Sequence, residues 1–392
     1  MISKIYRHIS QYVHRGRAVS TQFLPGTFRK MPRKTIRAVA PEPAVPSRAA
    51  LPASASTLTS IAAQAGVSLS TVSKVLNGRT DVSPATRERI GQLLRQHGYQ
   101  PGSRLGFGVV DLLLGEGKGS LANLHSSPWA VELIHGTVQA ASEEGHSVVV
   151  TTVSSPSEFD RWLELATVRG THGALSVLSL PRGDELRQLT AAGIPVVVID
   201  PAEEPGASIR SVGTTNWQGG LSATRHLIEL GHRRIAAIGG PPHLWSSRAR
   251  LDGYRAAMLE AGLPVDEALI GRDVFSVDGG RQQAMRLLDL ADRPTGIVAG
   301  NDAQAFGVLQ ALGEFRLRSP DDVSVVGFDD LPVAAWAAPA LTTVRQPLAA
   351  MAATAFRMLR AGGPGTAAQA DHVELATTLV VRDSTAPPPA AG

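Results

Sequence analysis

Leu69, Ser70, Ser73 and Lys74 recur at the spacing that places them on one face of a short helix, within the stretch GVSLSTVSKVLNG at residues 66–78. Small hydroxyl side chains let a helix backbone approach a partner closely, and each hydroxyl both donates and accepts hydrogen bonds. Thr71 and Ser73 suit phosphate oxygens, and Lys74 brings an ammonium group for a phosphate or a base acceptor. The opposite face, Val72, Val75 and Leu76, is apolar and predicts burial. Arg79, Arg87, Arg89 and Arg95 outnumber Asp81 and Glu88 nearby, so the segment is basic. On residue types alone, a small helical protein-binding or structural module remains the alternative to a nucleic-acid reader.

The elements that must carry this face are three short helices. Leu58, Ile61, Ala62 and Ala65 form the apolar stripe of the first, with Thr57 or Thr59 as its cap. Gly66 breaks it, Ser68 caps the second, and Asn77-Gly78 closes that helix with a left-handed terminus. Ser83-Pro84 starts the third, which runs through Ile90, Leu93, Leu94 and His97 to Gly98. Two helices joined by a glycine-containing turn form a helix-turn-helix, whose second helix can enter a major groove.

Catalytic and metal-binding patterns are missing. GEGKGS resembles a phosphate loop, but Leu112 stands where a glycine is required and Gly119 follows Lys118 where Ser or Thr is required. It reads as a surface loop. No G-x-S-x-G elbow or H-E-x-x-H pair occurs, and the eleven histidines form no ligand cluster; His226 and His232 flank one helix end as structural or surface groups. The absence of cysteine excludes disulfides, thiolate metal sites and cysteine nucleophiles. The chain is therefore expected to be no enzyme and to need neither cofactor nor metal.

The 392 residues are 43% hydrophobic and 18% charged, an ordinary globular composition with room for a small domain and a larger body. No apolar stretch approaches a membrane span and no secretory signal opens the chain, so the expected location is cytoplasmic, without membrane contact. Charge is unevenly spread. Residues 1–57 hold ten Lys/Arg against Glu42 alone, while the remainder holds 28 against 33 acids. That Pro- and Ala-rich tail is expected to be disordered, serving as a phosphate-attracting arm, an upstream extension or, less favoured, a transit peptide. From Phe107 onward, FGVVDLLL, HSVVVTTV, GALSVLSL, IPVVVID, RRIAAIGG, GIVAGND and VSVVGFDD alternate with helical segments. This pattern predicts parallel sheets covered on both faces, in two lobes. Ligands of such sheets sit beyond the carboxyl ends of the strands, where Asp200, Asn301-Asp302 and Asp329-Asp330 stand.

TLTSIAAQAGVSLSTVSKVLNGRTDVSPATRERIGQLLRQHGYQP closely resembles the DNA-binding domain of the lac/galactose repressor family. SPWAVELIHGTVQAA, SSRARLDGYRAAM, GIVAGNDAQAFGVLQAL and DDVSVVGFDDLPVAAWAAPALTTVRQP resemble that family's effector domain, which shares the two-lobed fold of periplasmic sugar-binding proteins. The resemblance implies a helix-turn-helix domain at 58–101, a linker at 102–106, a two-lobed α/β effector and dimerisation domain at 107–385, and disordered segments at 1–57 and 386–392. It places Leu69, Ser70 and Lys74 at base edges and Thr71, Ser73 and Asn77 at phosphates or the groove wall. It places Arg250, Asn301 and Asp329 against effector hydroxyls, with Ser127 and Gln346 completing the polar set and Phe275, Trp129 and Trp336 as aromatic candidates, while Asp200 joins the effector-binding candidates by its strand-end position. Asp302 and Asp330 read instead as helix caps, and an inter-lobe salt bridge is the alternative for Arg250.

The expected protein is a homodimeric regulator, most simply a repressor, that binds a near-palindromic operator under control of a sugar. Parts of its body are most similar to actinobacterial members that sense plant-derived oligosaccharides. A nucleobase or phosphorylated metabolite is the alternative effector, and a transporter's solute-binding protein is the rival class. One departure stands out: GSRLGFG after Pro101 leaves hardly any room for the family's hinge helix and its minor-groove leucine wedge. A short linker is expected, with Arg104 near phosphate.

Overall fold

The computed structural model describes residues 54–76, 82–96, 108–115, 127–178, 181, 183–204, 209–361 and 371–389. Three helices open the described chain: α1 at Ser54–Ala65, α2 at Leu69–Leu76 and α3 at Pro84–Gln96. Helix α1 begins before the expected Leu58, because the Ala- and Ser-containing residues ahead of it contain no helix breaker. The Ser68 hydroxyl accepts from the Thr71 N–H at 3.2 Å and the Ser83 hydroxyl from the Thr86 N–H at 3.3 Å, so both expected caps are present. Ile61, Ala65, Val72, Ile90 and Leu94 are buried together as one small core. The expected linker lies outside the described residues.

The body contains two six-stranded sheets. The first comprises β1 Gly108–Gly115, β2 His146–Val153, β3 Gly173–Val177, β4 Val196–Ile199, β5 Arg210–Thr214 and β11 His372–Leu375, in the order β11-β5-β4-β3-β1-β2. Its neighbours are all parallel. The second comprises β6 Ile235–Gly239, β7 Ile270–Arg272, β8 Gly296–Ala299, β9 Ser324–Asp329, β10 Thr342–Arg345 and β12 Thr378–Val380, in the order β12-β10-β9-β8-β6-β7. Here the expected all-parallel arrangement fails at one edge, where β12 runs antiparallel to β10. In the first lobe Leu112, Leu175 and Val197 pack against Leu133, Met351 and Phe356 on one face, while Leu113 and Ala174 meet Phe159 and Trp162 on the other. Burial on both faces explains the continuous apolar runs.

The chain crosses between lobes three times, after β5, after β10 and after β11. The crossings are bonded to one another: the Thr214 hydroxyl donates to Gln346 Oε1 at 3.2 Å, and the Thr377 N–H donates to the Thr215 hydroxyl at 3.0 Å. Beyond residue 385, expected to be loose, Ala386 accepts from Ser324 and donates back to its hydroxyl, so the chain is held against the second lobe at this point.

Glycines set the approach of the second lobe's helices. Helix Asn216–Glu229 crosses helix Trp245–Glu260 where a Cβ on Gly220 would meet the Arg250 carbonyl at 2.1 Å, and one on Gly253 the Trp217 carbonyl at 2.1 Å. Contact this close brings Asn216 beside Arg250. Gly253→Ala is therefore expected to destabilise the fold by about 1–3 kcal/mol. Gly313→Ala, at an exposed helical position with open space around it, is expected to be neutral or to stabilise by up to about 1 kcal/mol. Denaturant melts of the two variants check this contrast, and equal effects would contradict it.

Candidate functional site

The carboxyl ends of the strands gather around one guanidinium. Arg250, on helix Trp245–Glu260, is 8% exposed. Its Nε donates to Asn216 Oδ1 at 2.8 Å and its Nη1 to the Gly300 carbonyl at 2.7 Å, with Asp329 Oδ1 at 3.7 Å from Nη1. The guanidinium carbon lies 3.7 Å from the centre of the Phe328 ring and 5.6 Å from that of Phe275. Gly219 leaves room for the Phe328 ring, as Gly240 does for Phe275. Nη2 has no hydrogen-bond partner among the described residues, which leaves donors for a ligand.

Three carboxyls surround this cation. Asp329 ends β9 at φ 115°, and Asp200 follows β4 at φ 49°, both in the left-handed region that favours glycine. Gln346 Nε2 donates to Asp329 Oδ1 at 2.6 Å, so one side chain ties the site to Thr214 and the crossings. Asp200 is 6% exposed, and its carboxylate has no hydrogen-bond partner among the described residues. Burial raises the pKa of Asp200, opposed by Arg250. Burial pushes Asp329 up to about 7, again opposed by Arg250. Burial pulls Arg250 down, while Asp329, Asp200 and Asp302 push it back.

The other expected residues make contacts of their own. Asn301 Oδ1 accepts from the Gln304 N–H at 2.8 Å and so caps helix Asp302–Glu314. Asp302, expected as a cap, is buried and accepts from Leu331 N–H at 2.8 Å and the Thr343 hydroxyl at 2.5 Å, fixing the turn after β9. Asp330, likewise read as a cap, accepts from Arg345 and Arg382, both at 2.6 Å. Ser127 caps helix Pro128–Glu143, and Trp129 packs on the first lobe's core. Trp336 is 79% exposed. Arg250 bonds within its own lobe, where an inter-lobe bridge was the alternative. Ser70 and Thr71 of α2 share hydrogen bonds with Ser68, its cap; the same helix carries Leu69, Ser73 and Lys74, whereas Asn77 lies outside the described residues.

Sequence reasoning missed Asn216, Trp217, Trp245 and Phe328. Asn216, Trp217 and Trp245 line a cavity of about 160 Å³ beside Asp200, and a second of about 480 Å³ runs along Asp329 and Gln346. Among the described residues no three His, Cys, Asp or Glu side chains cluster as metal ligands, and no helix is long and apolar enough to cross a membrane.

The Asp329 carboxyl gives a pH signature. Its ordinary pKa is 3.8 and its folded value about 7, so the folded chain holds the extra proton between those limits. Its contribution to stability is complete below pH 3.8 and is lost as pH rises through about 7. Asp329→Asn removes that contribution. The melting temperature of the variant minus that of the native chain should rise from pH 5 to pH 8 (approximate limits of the window), and a difference independent of pH contradicts the assignment.

Residues 57–102 match the family described as bacterial regulatory proteins, lacI family, and residues 224–385 match the periplasmic binding protein-like domain. The HTH-type transcriptional regulator CelR of Thermobifida fusca is 37% identical over 336 residues, covering 84% of this chain and 98% of that protein. A solved complex of CelR with cellobiose aligns at a TM-score of 0.63 and 36% identity, covering 83% of this chain and 99% of that one. The lac repressor dimer bound to operator and the anti-inducer ONPF aligns at 0.62 and 26% identity, covering 84% and 98%. A helix-turn-helix ahead of a two-lobed body of largely parallel sheets, matched along nearly the whole of these relatives, places the chain in the lacI family of bacterial regulatory proteins, as a transcriptional regulator.

Proposed function

We propose that this regulator is a cytoplasmic homodimeric repressor whose grip on a near-palindromic operator is set by a neutral sugar held at Arg250, Asp329, Asp200 and Gln346. The observation that carries the reading is the unshared bonding capacity there: among the described residues Arg250 Nη2 and the Asp200 carboxylate have no hydrogen-bond partner, and the two side chains interact electrostatically. Sugar hydroxyls both donate and accept, and satisfy such a mixed set. A phosphorylated metabolite suits it poorly, because Asp200, Asp302 and Asp329 already surround the buried Arg250 guanidinium. The cellobiose-bound relative supports a sugar and favours a disaccharide.

Control follows from linkage. A sugar bridging Asp200 of the first lobe to Arg250 and Asp329 of the second favours the closed arrangement of the lobes. Gln346 carries the change into the crossing strands through Thr214. If closure alters the spacing of two helix-turn-helix heads, sugar and operator affinities change by one reciprocal factor. On the heads, Leu69, Ser70 and Lys74 read base edges, and Thr71, Ser73 and Asn77 hold phosphates.

Arg250→Ala should lose the sugar-induced rise in melting temperature while keeping operator affinity, and Lys74→Ala should do the reverse. A saturating sugar, at about a hundred times Kd, stabilises the native chain by about 2.7 kcal/mol, enough for a thermal-shift screen. A normal shift in Arg250→Ala would remove that residue from the site.

A further inference from the structure

Three hydroxyls meet at the start of α2. The Ser68 oxygen accepts from the Thr71 N–H at 3.2 Å, and it lies 2.7 Å from the Ser70 hydroxyl and 2.9 Å from that of Thr71. A serine hydroxyl has two lone pairs and one proton. The backbone N–H takes one lone pair, which leaves one lone pair and one proton for two neighbours. Ser68 therefore donates to one of Ser70 and Thr71 and accepts from the other. The two arrangements offer different groups to DNA. If Thr71 donates to Ser68, its hydroxyl keeps only lone pairs, and phosphate oxygens, which are acceptors, cannot bond them. Phosphate contact at Thr71 thus requires that Ser68 donate to Thr71 and accept from Ser70. The Ser70 proton is then spent inside the protein, and this exposed side chain has only lone pairs left to offer.

We propose that Ser68 is a positioning residue that commits the Ser70 proton, so that Ser70 reads its base by accepting from an exocyclic amino group, N6 of adenine or N4 of cytosine. Guanine and thymine offer only acceptors in the major groove, so an acceptor-only serine rejects them. A serine with a free proton serves either kind of base. The proposal rests on the reading that Ser70 meets base edges and Thr71 a phosphate, and it adds the sign of the recognition. Ser68 acts on specificity without touching a base: it caps α2 and, through the same oxygen, decides which way the neighbouring hydroxyls point their protons.

Binding of the full chain to a duplex it has selected from a random-sequence pool, with each base pair then varied in turn, tests this. Ser70→Ala, a change at an exposed position, should flatten the preference at one base pair per half-site. Every base pair shows one amino group and one keto oxygen in the major groove, so base analogues delete them separately. Deleting the amino group there should cost the native chain about threefold or more in affinity and cost Ser70→Ala no more than about 1.5-fold. Deleting the keto oxygen should cost both proteins equally. At the base so identified, replacing adenine by guanine, or cytosine by thymine, should cost the native chain about fivefold or more. Ser68→Ala frees the Ser70 proton and should reduce that cost to within about twofold. Loss of the cap weakens binding to all duplexes alike, so a purely structural role would leave the discrimination in place. Ser68→Thr, which keeps the hydroxyl, should retain it. Coupling of Ser70 to the keto oxygen, or undiminished discrimination in Ser68→Ala, overturns the proposal and leaves Ser70 a base reader. No base pair flattened by Ser70→Ala removes Ser70 from the base edges and overturns both together.

Discussion

A buried guanidinium organises the second lobe. Burying a charge is costly unless it is paired and hydrogen-bonded. Arg250 meets this demand with Asn216, the Gly300 carbonyl and Asp329, which lie on three different elements. The Phe328 ring beneath it adds a cation–π contact. Those partners hold the start of one helix and the ends of β8 and β9 at fixed distances, and Nη2 is left without a hydrogen-bond partner among the described residues. The same constraint that stabilises the lobe therefore supplies the donor with which it can recognise a ligand.

Close helix crossings make this arrangement attainable. Without side chains at Gly220 and Gly253, the helices that carry Asn216 and Arg250 approach within backbone contact. Gly280 and Gly307 do the same for the helices that follow Phe275 and Asn301. Asp302 then fixes the turn after β9 from below, through Leu331 and Thr343. Asp329 is held in a backbone conformation that glycine would prefer, a strain the surrounding bonds maintain. Because Gln346 bonds both Asp329 and Thr214, the site and the crossings between lobes share one hydrogen-bonded chain.

Much of this was legible in the residues. Caps at Ser68 and Ser83 and the apolar stripes defined the three-helix head, and each of the seven long apolar runs became a strand. Strands β5, β7, β10, β11 and β12 escaped notice because they are short and polar. Thr342 and Thr343 in β10 are fully buried, with their hydroxyls satisfied by residues far along the chain, which no local pattern reveals. In the site, the strand-end rule and the family resemblance pointed to Asp200, Arg250, Asp329 and Gln346. The same reasoning could not see that Asn301 and Ser127 would spend their side-chain oxygens on helix caps. Trp217 and Trp245 stayed hidden because they open two separate helices and become neighbours only through the tertiary fold.

The central claim is that the cleft around Arg250 and the DNA-reading helix are thermodynamically coupled. The direct measurement is calorimetric titration of the sugar that binds into the free chain, and into the chain saturated with a duplex it has selected from a random-sequence pool. The account predicts two different sugar affinities, whose ratio equals the change in duplex affinity that the sugar produces. Identical sugar affinities in the two titrations would contradict it.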